Sequence, residues 1–170
     1  ICAHDAPTIT NGKAVIDHEK CVGCGRCLAV CPKDAIASDW GASTLMLNRK
    51  MAEYALAVCQ SRPCFHISLI VDVSPNCDCH AENDIPIIPD VGMLASFDPV
   101  ALDVACADLC NEMPVLAGSV LSDNIQENPD HDHGDYDHFR MTHPDTEWKS
   151  CVEHGVKIGL GNSEYELVQI

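Results

Sequence analysis

Apolar positions recur along the chain with two different periods, and the changes of period mark its elements. Lys13-Ala14-Val15-Ile16 follows the turn signal Asn11-Gly12 and predicts a short strand. Over Leu45–Cys59 the residues Leu47, Met51, Ala55 and Val58 fall at helical spacing, with Ser43 or Thr44 as the N-cap. The mostly apolar run Cys64–Val73 follows Pro63 and predicts a buried strand, which Pro75 and Asn76 end. A second apolar stretch, Ile85–Leu94, contains Pro86, Pro89 and Gly92, so it is expected as an interrupted or edge strand. Asp98-Pro99 is a helix start, because the carboxylate can cap and proline suits the first helical position. That helix should run to about Met113, with Ala101, Val104, Ala105 and Leu109 facing the core.

Beyond it, residues 122–146 are polar and acidic and read as a long surface loop. A last helix is expected from about Thr146 to Gly159 or Gly161, with Gly159-Leu160-Gly161-Asn162 as its C-cap rather than a phosphate loop. The terminal YELVQI alternates like a strand. Strands and helices roughly alternate, which predicts an α/β fold: a layered α/β domain with an inserted ferredoxin-like iron-sulfur segment. No internal repeat stands out. The expected division is a cluster-binding segment, 1–42, and an α/β domain, 43–170.

Composition narrows the function classes. Of 170 residues, 46% are hydrophobic, enough for a packed core. Asp and Glu total 26 against 10 Lys and Arg, a formal charge of -16, which repels phosphate backbones and anionic headgroups. Neither nucleic acid nor a membrane surface is therefore expected as a partner. No apolar run reaches the ~18 residues of a membrane span, and the start ICAHDAPTIT has no signal-peptide pattern.

Twelve residues are cysteine, and four of them carry the chemistry. Cys21-Val22-Gly23-Cys24-Gly25-Arg26-Cys27-Leu28-Ala29-Val30-Cys31-Pro32 fits the bacterial ferredoxin run C-x2-C-x2-C-x3-C-P at every defined position. Neighbouring thiols this close would strain a disulfide, whereas thiolates at this spacing can wrap one [4Fe-4S] cluster. Gly23 and Gly25 would let backbone N–H groups point at its sulfides. The alternatives are a structural zinc site, whose ligands normally fall into two separated pairs, or a redox thiol pair. An iron-sulfur cluster implies a reducing compartment, here the cytoplasm.

The fourth ligand stays open, because in two-cluster ferredoxins the last cysteine of a run serves the other cluster. Cys31 can close its own cluster, or a remote thiolate can. Cys77 and Cys79 lead the remote candidates, with ordinary loop thiols as the alternative; Cys2, Cys59 and Cys64 are weaker. Cys106 and Cys110, four apart on one helix, and Cys151 are expected in the core. His131, His133, His138 and His143 lie among Asp130, Asp132, Asp135 and Asp137, and form either a divalent-metal site or a solvated acidic loop. Asp72, Asp78, Asp84 and Asp90 either line a cleft or cap loops.

The single ferredoxin run followed by MAEYALAV, DVSPNCDCH, IPIIPDVGMLASFDPVALD and GLGNSEYELVQI resembles the uncharacterised "Fe-S center protein" family. That is a domain-of-unknown-function family in which a ferredoxin-type 4Fe-4S motif is inserted in a larger α/β domain. The resemblance covers nearly the whole chain and implies that it corresponds to the C-terminal portion of a longer family domain. By position, Cys21, Cys24, Cys27 and Cys31 match the family's cluster ligands, and Cys77 and Cys79 match its CDC motif, which has no established role. Cys59, Cys64, Cys106, Cys110, Cys151 and the His-Asp loop depart from the pattern. The second ferredoxin run of some members is absent.

Three functions fit. The first is an iron-sulfur electron-transfer or redox subunit whose acidic surface docks a redox partner protein. The second is a redox enzyme, possible as an oxidoreductase with its site in the α/β domain, although no nucleophile elbow, phosphate loop or dinucleotide fingerprint supports one. The third is a purely structural cluster. Strands apolar on both faces, with few helices to cover them, predict an exposed apolar patch around Phe65–Val73 and Ile85–Leu94. An oligomer or a missing N-terminal portion would cover it.

Overall fold

The computed structural model describes residues 1–37, 44–77, 83–127 and 137–170. It divides into two compact units, Ile1–Ala42 and Ser43–Ile170. In the first, β1 (Pro7–Thr10) and β2 (Lys13–Ile16) pair antiparallel, with Thr10 opposite Lys13. Asn11 and Gly12 turn the chain with φ of 52° and 74°, the two left-handed residues that let a two-residue turn match strand twist. Asp17 then closes a tight turn: its carbonyl accepts from Lys20 and Cys21, and its carboxylate accepts from the Glu19 N–H at 3.0 Å. That turn delivers the chain to the cysteine run and the short helix α1 (Arg26–Val30).

The second unit packs α2 (Thr44–Cys59), β3 (His66–Ile70), β4 (Gly92–Ser96), α3 (Pro99–Glu112), α4 (Val120–Glu127), α5 (His138–Thr142) and α6 (Lys149–Lys157). β3 and β4 pair antiparallel, and α3 packs on both. Helices with two small antiparallel sheets make this an α/β fold. The core gathers Ile70, Ile87, Ile88, Cys110 and Leu121, with Val73, Leu94, Leu109, Phe139 and Met141 packed around it. On the other side α2 lies against α6. Buried Asn48 joins them, its amide donating to the Glu147 carbonyl at 2.6 Å and to Ser150 Oγ at 2.9 Å.

Asp98 caps α3 as its sequence signals, accepting from Val100 and Ala101 N–H at 2.9 and 3.0 Å. Several expectations give way. Ile85–Leu94 is not itself a strand; only its end belongs to β4. Pro86 and Pro89 lack donors, so the stretch satisfies its backbone piecemeal, Ile87 N–H to Val73 O and Val91 N–H to Ile70 O, and buries Ile87 and Ile88. Residues 122–146 are not one loop, because α4 reaches into them as far as Glu127 and α5 (His138–Thr142) lies within them. Asp137 starts α5 as its N-cap, accepting from Phe139 and Arg140 N–H. Among the described residues YELVQI pairs with no strand; Tyr165 within it donates to Asp108 at 2.8 Å.

β3 departs from a strand buried on both faces. His66, Ser68 and Ile70 turn inward, while Ile67 and Leu69 are 60% and 66% exposed. With Phe65, Met93 and Phe97 they form an exposed apolar face, Phe65 and Phe97 meeting edge-on at 5.0 Å.

Candidate functional site

In the first unit, Cys21 and Cys24 lie exposed on the loop before α1, Cys27 sits on that helix and Cys31 caps its end. Gly23 and Gly25 both take left-handed conformations, with φ of 72° and 71°. A side chain would be strained at either position, so the spacing glycines of the run are backbone requirements. Gly25 also begins α1, its carbonyl accepting from Leu28 and Ala29.

Past the helix the chain curls around the last thiol. The Ala35 N–H donates to Cys31 Sγ at 3.4 Å. Hydrogen bonds from the Lys33 and Ala35 amides hold the Cys31 thiol below its ordinary pKa, against some burial and the Asp34 charge. Asp34 makes the curl possible with a left-handed φ of 46°.

The same turn recurs among the described residues of this unit. Cys2-Ala3-His4-Asp5-Ala6 repeats Cys31-Pro32-Lys33-Asp34-Ala35 as Cys-x-x-Asp-Ala, and Asp5 is left-handed with φ of 50°. The Ala6 and His4 amides lower the Cys2 pKa, the counterparts of Ala35 and Lys33. Sequence reading ranked Cys2 low and saw no repeat; the signal was the short Cys-x-x-Asp-Ala match. Cys2, Cys27 and Cys31 line one cavity of about 540 Å³, with Val30, Ile9 and Ile36 among its apolar walls. Cys21 and Cys24 do not line it.

The other expected ligands lie in the second unit. Cys77 is exposed, while Cys79, His131 and His133 fall outside the described residues, as do Asp78, Asp130, Asp132 and Asp135. His138 serves the core: it is buried, and its Nδ1 stands 3.0 Å from the Cys110 carbonyl. His143 Nε2 meets the Pro75 carbonyl. Asp90 and Asp84 cap loops, accepting from the Asp72 and Ile85 N–H groups at 2.8 and 2.7 Å. Burial pushes the Cys110 thiol up to about 11, with nearby Cys106 adding to it, and also raises Cys106 and Cys151. These three are packing thiols, as their sequence context suggests.

Among the described residues, one group can hold a metal ion with its donor atoms within 4.8 Å of one another: Cys59, Cys64 and His66. Cys59 ends α2, Cys64 lies in the following turn and His66 opens β3. Burial and the hydrogen-bonded Cys64 thiol push the Cys59 pKa up. Sequence reading placed these two cysteines among the weaker candidates and did not consider His66, because α2, a turn and a strand must first be assembled.

The family described as Domain of unknown function (DUF362) matches residues 9–108, more than half of the chain. The chain belongs to that family. The DUF362 match runs from β1 through the cysteine run, α2, β3 and β4 to Asp108 in α3, so it includes both groups of thiols. Comparison with curated proteins and with solved structures finds no match. Among the described residues no helix is long and apolar enough to cross a membrane.

Proposed function

We propose that this DUF362 protein is an iron-sulfur protein whose segment 1–42 is a ferredoxin-like insert holding one [4Fe-4S] cluster, and that it passes electrons to or from a redox partner protein. The observation that carries this reading is the C-x2-C-x2-C-x3-C-P run, with two left-handed glycines inside it and backbone N–H groups turned onto its last sulfur. Cys21, Cys24, Cys27 and Cys31 are the proposed ligands. When bound, the cluster supplies a one-electron couple, tuned by hydrogen bonds to its sulfurs. Amide donors at Cys31 favour the thiolate, which is the form that ligates. The charge of -16 suits docking to a basic surface, and the cluster chemistry suits a reducing cytoplasm.

One observation favours a second ligand set. Cys2 sits in a turn that duplicates that of Cys31, lines the same cavity as Cys27, and has its own amide donors. On this reading Cys2 closes the cluster held by Cys21, Cys24 and Cys27, and Cys31 is spare.

Anaerobically purified protein should be brown and carry about four iron per chain. Cys24→Ser and Cys27→Ser should abolish the iron. Cys31→Ser should lose it if the run closes on itself; Cys2→Ser should lose it instead if the duplicated turn supplies the ligand. Protein without iron, holding zinc alone at the run, ends the iron-sulfur reading. A cluster with no reversible reduction would make it a structural staple, and turnover of a substrate would make the protein an enzyme.

A further inference from the structure

We propose that Cys59, Cys64 and His66 form a zinc site, separate from the cysteine run, with three protein ligands and a fourth position open to solvent or a small exogenous ligand. It does not depend on the iron-sulfur reading.

The fold builds this cluster from three successive elements. Helix α2 runs to Cys59. Ser61, left-handed with φ of 61°, reverses the chain; the Arg62 N–H returns to the Cys59 carbonyl at 3.2 Å, and the Cys64 thiol points at the same carbonyl at 3.8 Å. Two residues later His66 opens β3 on its inward face. Two sulfurs and an imidazole nitrogen thus stand within 4.8 Å of one another.

Two further observations favour a cation there. The His66 Nε2 is, among the described residues, the buried side-chain nitrogen or oxygen with no hydrogen-bond partner. A buried polar atom left so is destabilising, and a metal ion at this nitrogen would satisfy it. All three residues are half-buried, shielded enough to limit competition from water and open enough for an ion to enter.

The donor set selects the metal. Two thiolates and one imidazole are soft to borderline donors and disfavour magnesium or calcium, which take oxygen ligands. Two thiolates with one neutral histidine balance the charge of Zn2+, and three protein ligands leave its fourth tetrahedral position open. Binding releases the two thiol protons to solvent and leaves both sulfurs as thiolates. The ion would pin the end of α2 to the start of β3.

The test uses the full chain with its iron content measured alongside, and Zn2+ as the probe. Native protein should retain one zinc per chain after dialysis against a weak chelator, and its melting temperature should rise with zinc. Cys64→Ser and His66→Ala should each weaken zinc binding by more than the ~100-fold that loss of an outer-shell partner can cost, with iron unchanged. Cobalt(II) in the native chain should show the intense bands of a tetrahedral thiolate site, a readout that needs no variant to fold. Absence of stoichiometric zinc from native protein, or of the cobalt bands, overturns the proposal. So does zinc that survives both substitutions, or that leaves only with Cys24→Ser, because it is then held elsewhere.

Discussion

Asp98 shows how much one side chain can organise. Its carboxylate caps α3 and also accepts from the Asn162 N–H at 2.8 Å, latching the segment after α6 onto the start of α3. Gly161 permits the latch, since a Cβ there would lie 2.0 Å from Asp98 Oδ1. Asp98→Ala should cost about 1–2 kcal/mol as a lost cap, and Gly161→Ala about 1–3 kcal/mol as overpacking. The two should not add: without the carboxylate the extra methyl has less to strike, so urea midpoints of the double variant should fall little below those of Asp98→Ala. Burial alone would raise the Asp98 pKa, but bonds from Ala101, Asn162 and Val100 outweigh it and hold the carboxyl below its ordinary value. A depressed pKa gives stability that is present above the unfolded value, near 4, and is lost as pH falls through the native one. The native-minus-variant difference should therefore shrink below about pH 4. Among the thiols, amide donors lower Cys31 and Cys2, whereas burial puts Cys110 at about 11, about one thiolate in ten thousand at pH 7. In metal-free protein, iodoacetamide mapping should label Cys31 and Cys2 early and Cys110 last.

Between elements, the α2–α6 contact rests on a polar tie. Asn48 sits 9% exposed on α2 and hydrogen-bonds the carbonyl and hydroxyl at the start of α6, while Glu53 and His154 meet at 3.0 Å farther along. The exposed pair contributes little. Asn48→Ala removes this donor while the Glu147 carbonyl keeps those of Ser150, so it should cost about 0.5–1.5 kcal/mol, read as a lower urea midpoint with unchanged slope. An equal loss from Glu53→Gln would show that the ion pair, not the amide, joins the helices.

At the scale of the second unit, the two-stranded β3–β4 sheet is covered by α3 on one side, and among the described residues its other side carries no helix or strand. Ile67, Leu69 and Met93 stand out at 60%, 66% and 68% exposure, beside Phe65 and Phe97. Large contiguous apolar surface is a liability for a free chain. Ile67→Thr with Leu69→Thr should leave the melting temperature nearly unchanged, because these side chains bury little, yet raise solubility and reduce aggregation in light scattering. A marked drop in melting temperature would mean that these side chains support the fold.

Local patterns were legible wherever the physics is local. The helix of α2, the Asp98-Pro99 start of α3, the Asn11-Gly12 turn and the thiol run depend on residues within a few positions, and each could be read directly. β1 was missed because Pro7–Thr10 is a strand only through its pairing with β2. Ile85–Leu94 and the terminal YELVQI look extended, but whether an extended segment joins a sheet depends on a partner edge that no local pattern specifies. His138 looks like a loop ligand in sequence; its burial against the Cys110 carbonyl needs α3 and α5 side by side. The kinship of Cys2 with Cys31 shows in the sequence only as the five-residue Cys-x-x-Asp-Ala match; that the match is a shared turn rests on left-handed aspartates, a backbone conformation the letters do not display. Cys59, Cys64 and His66 become a donor set only when a helix end, a reversed turn and a strand start converge, which is a property of the folded chain alone.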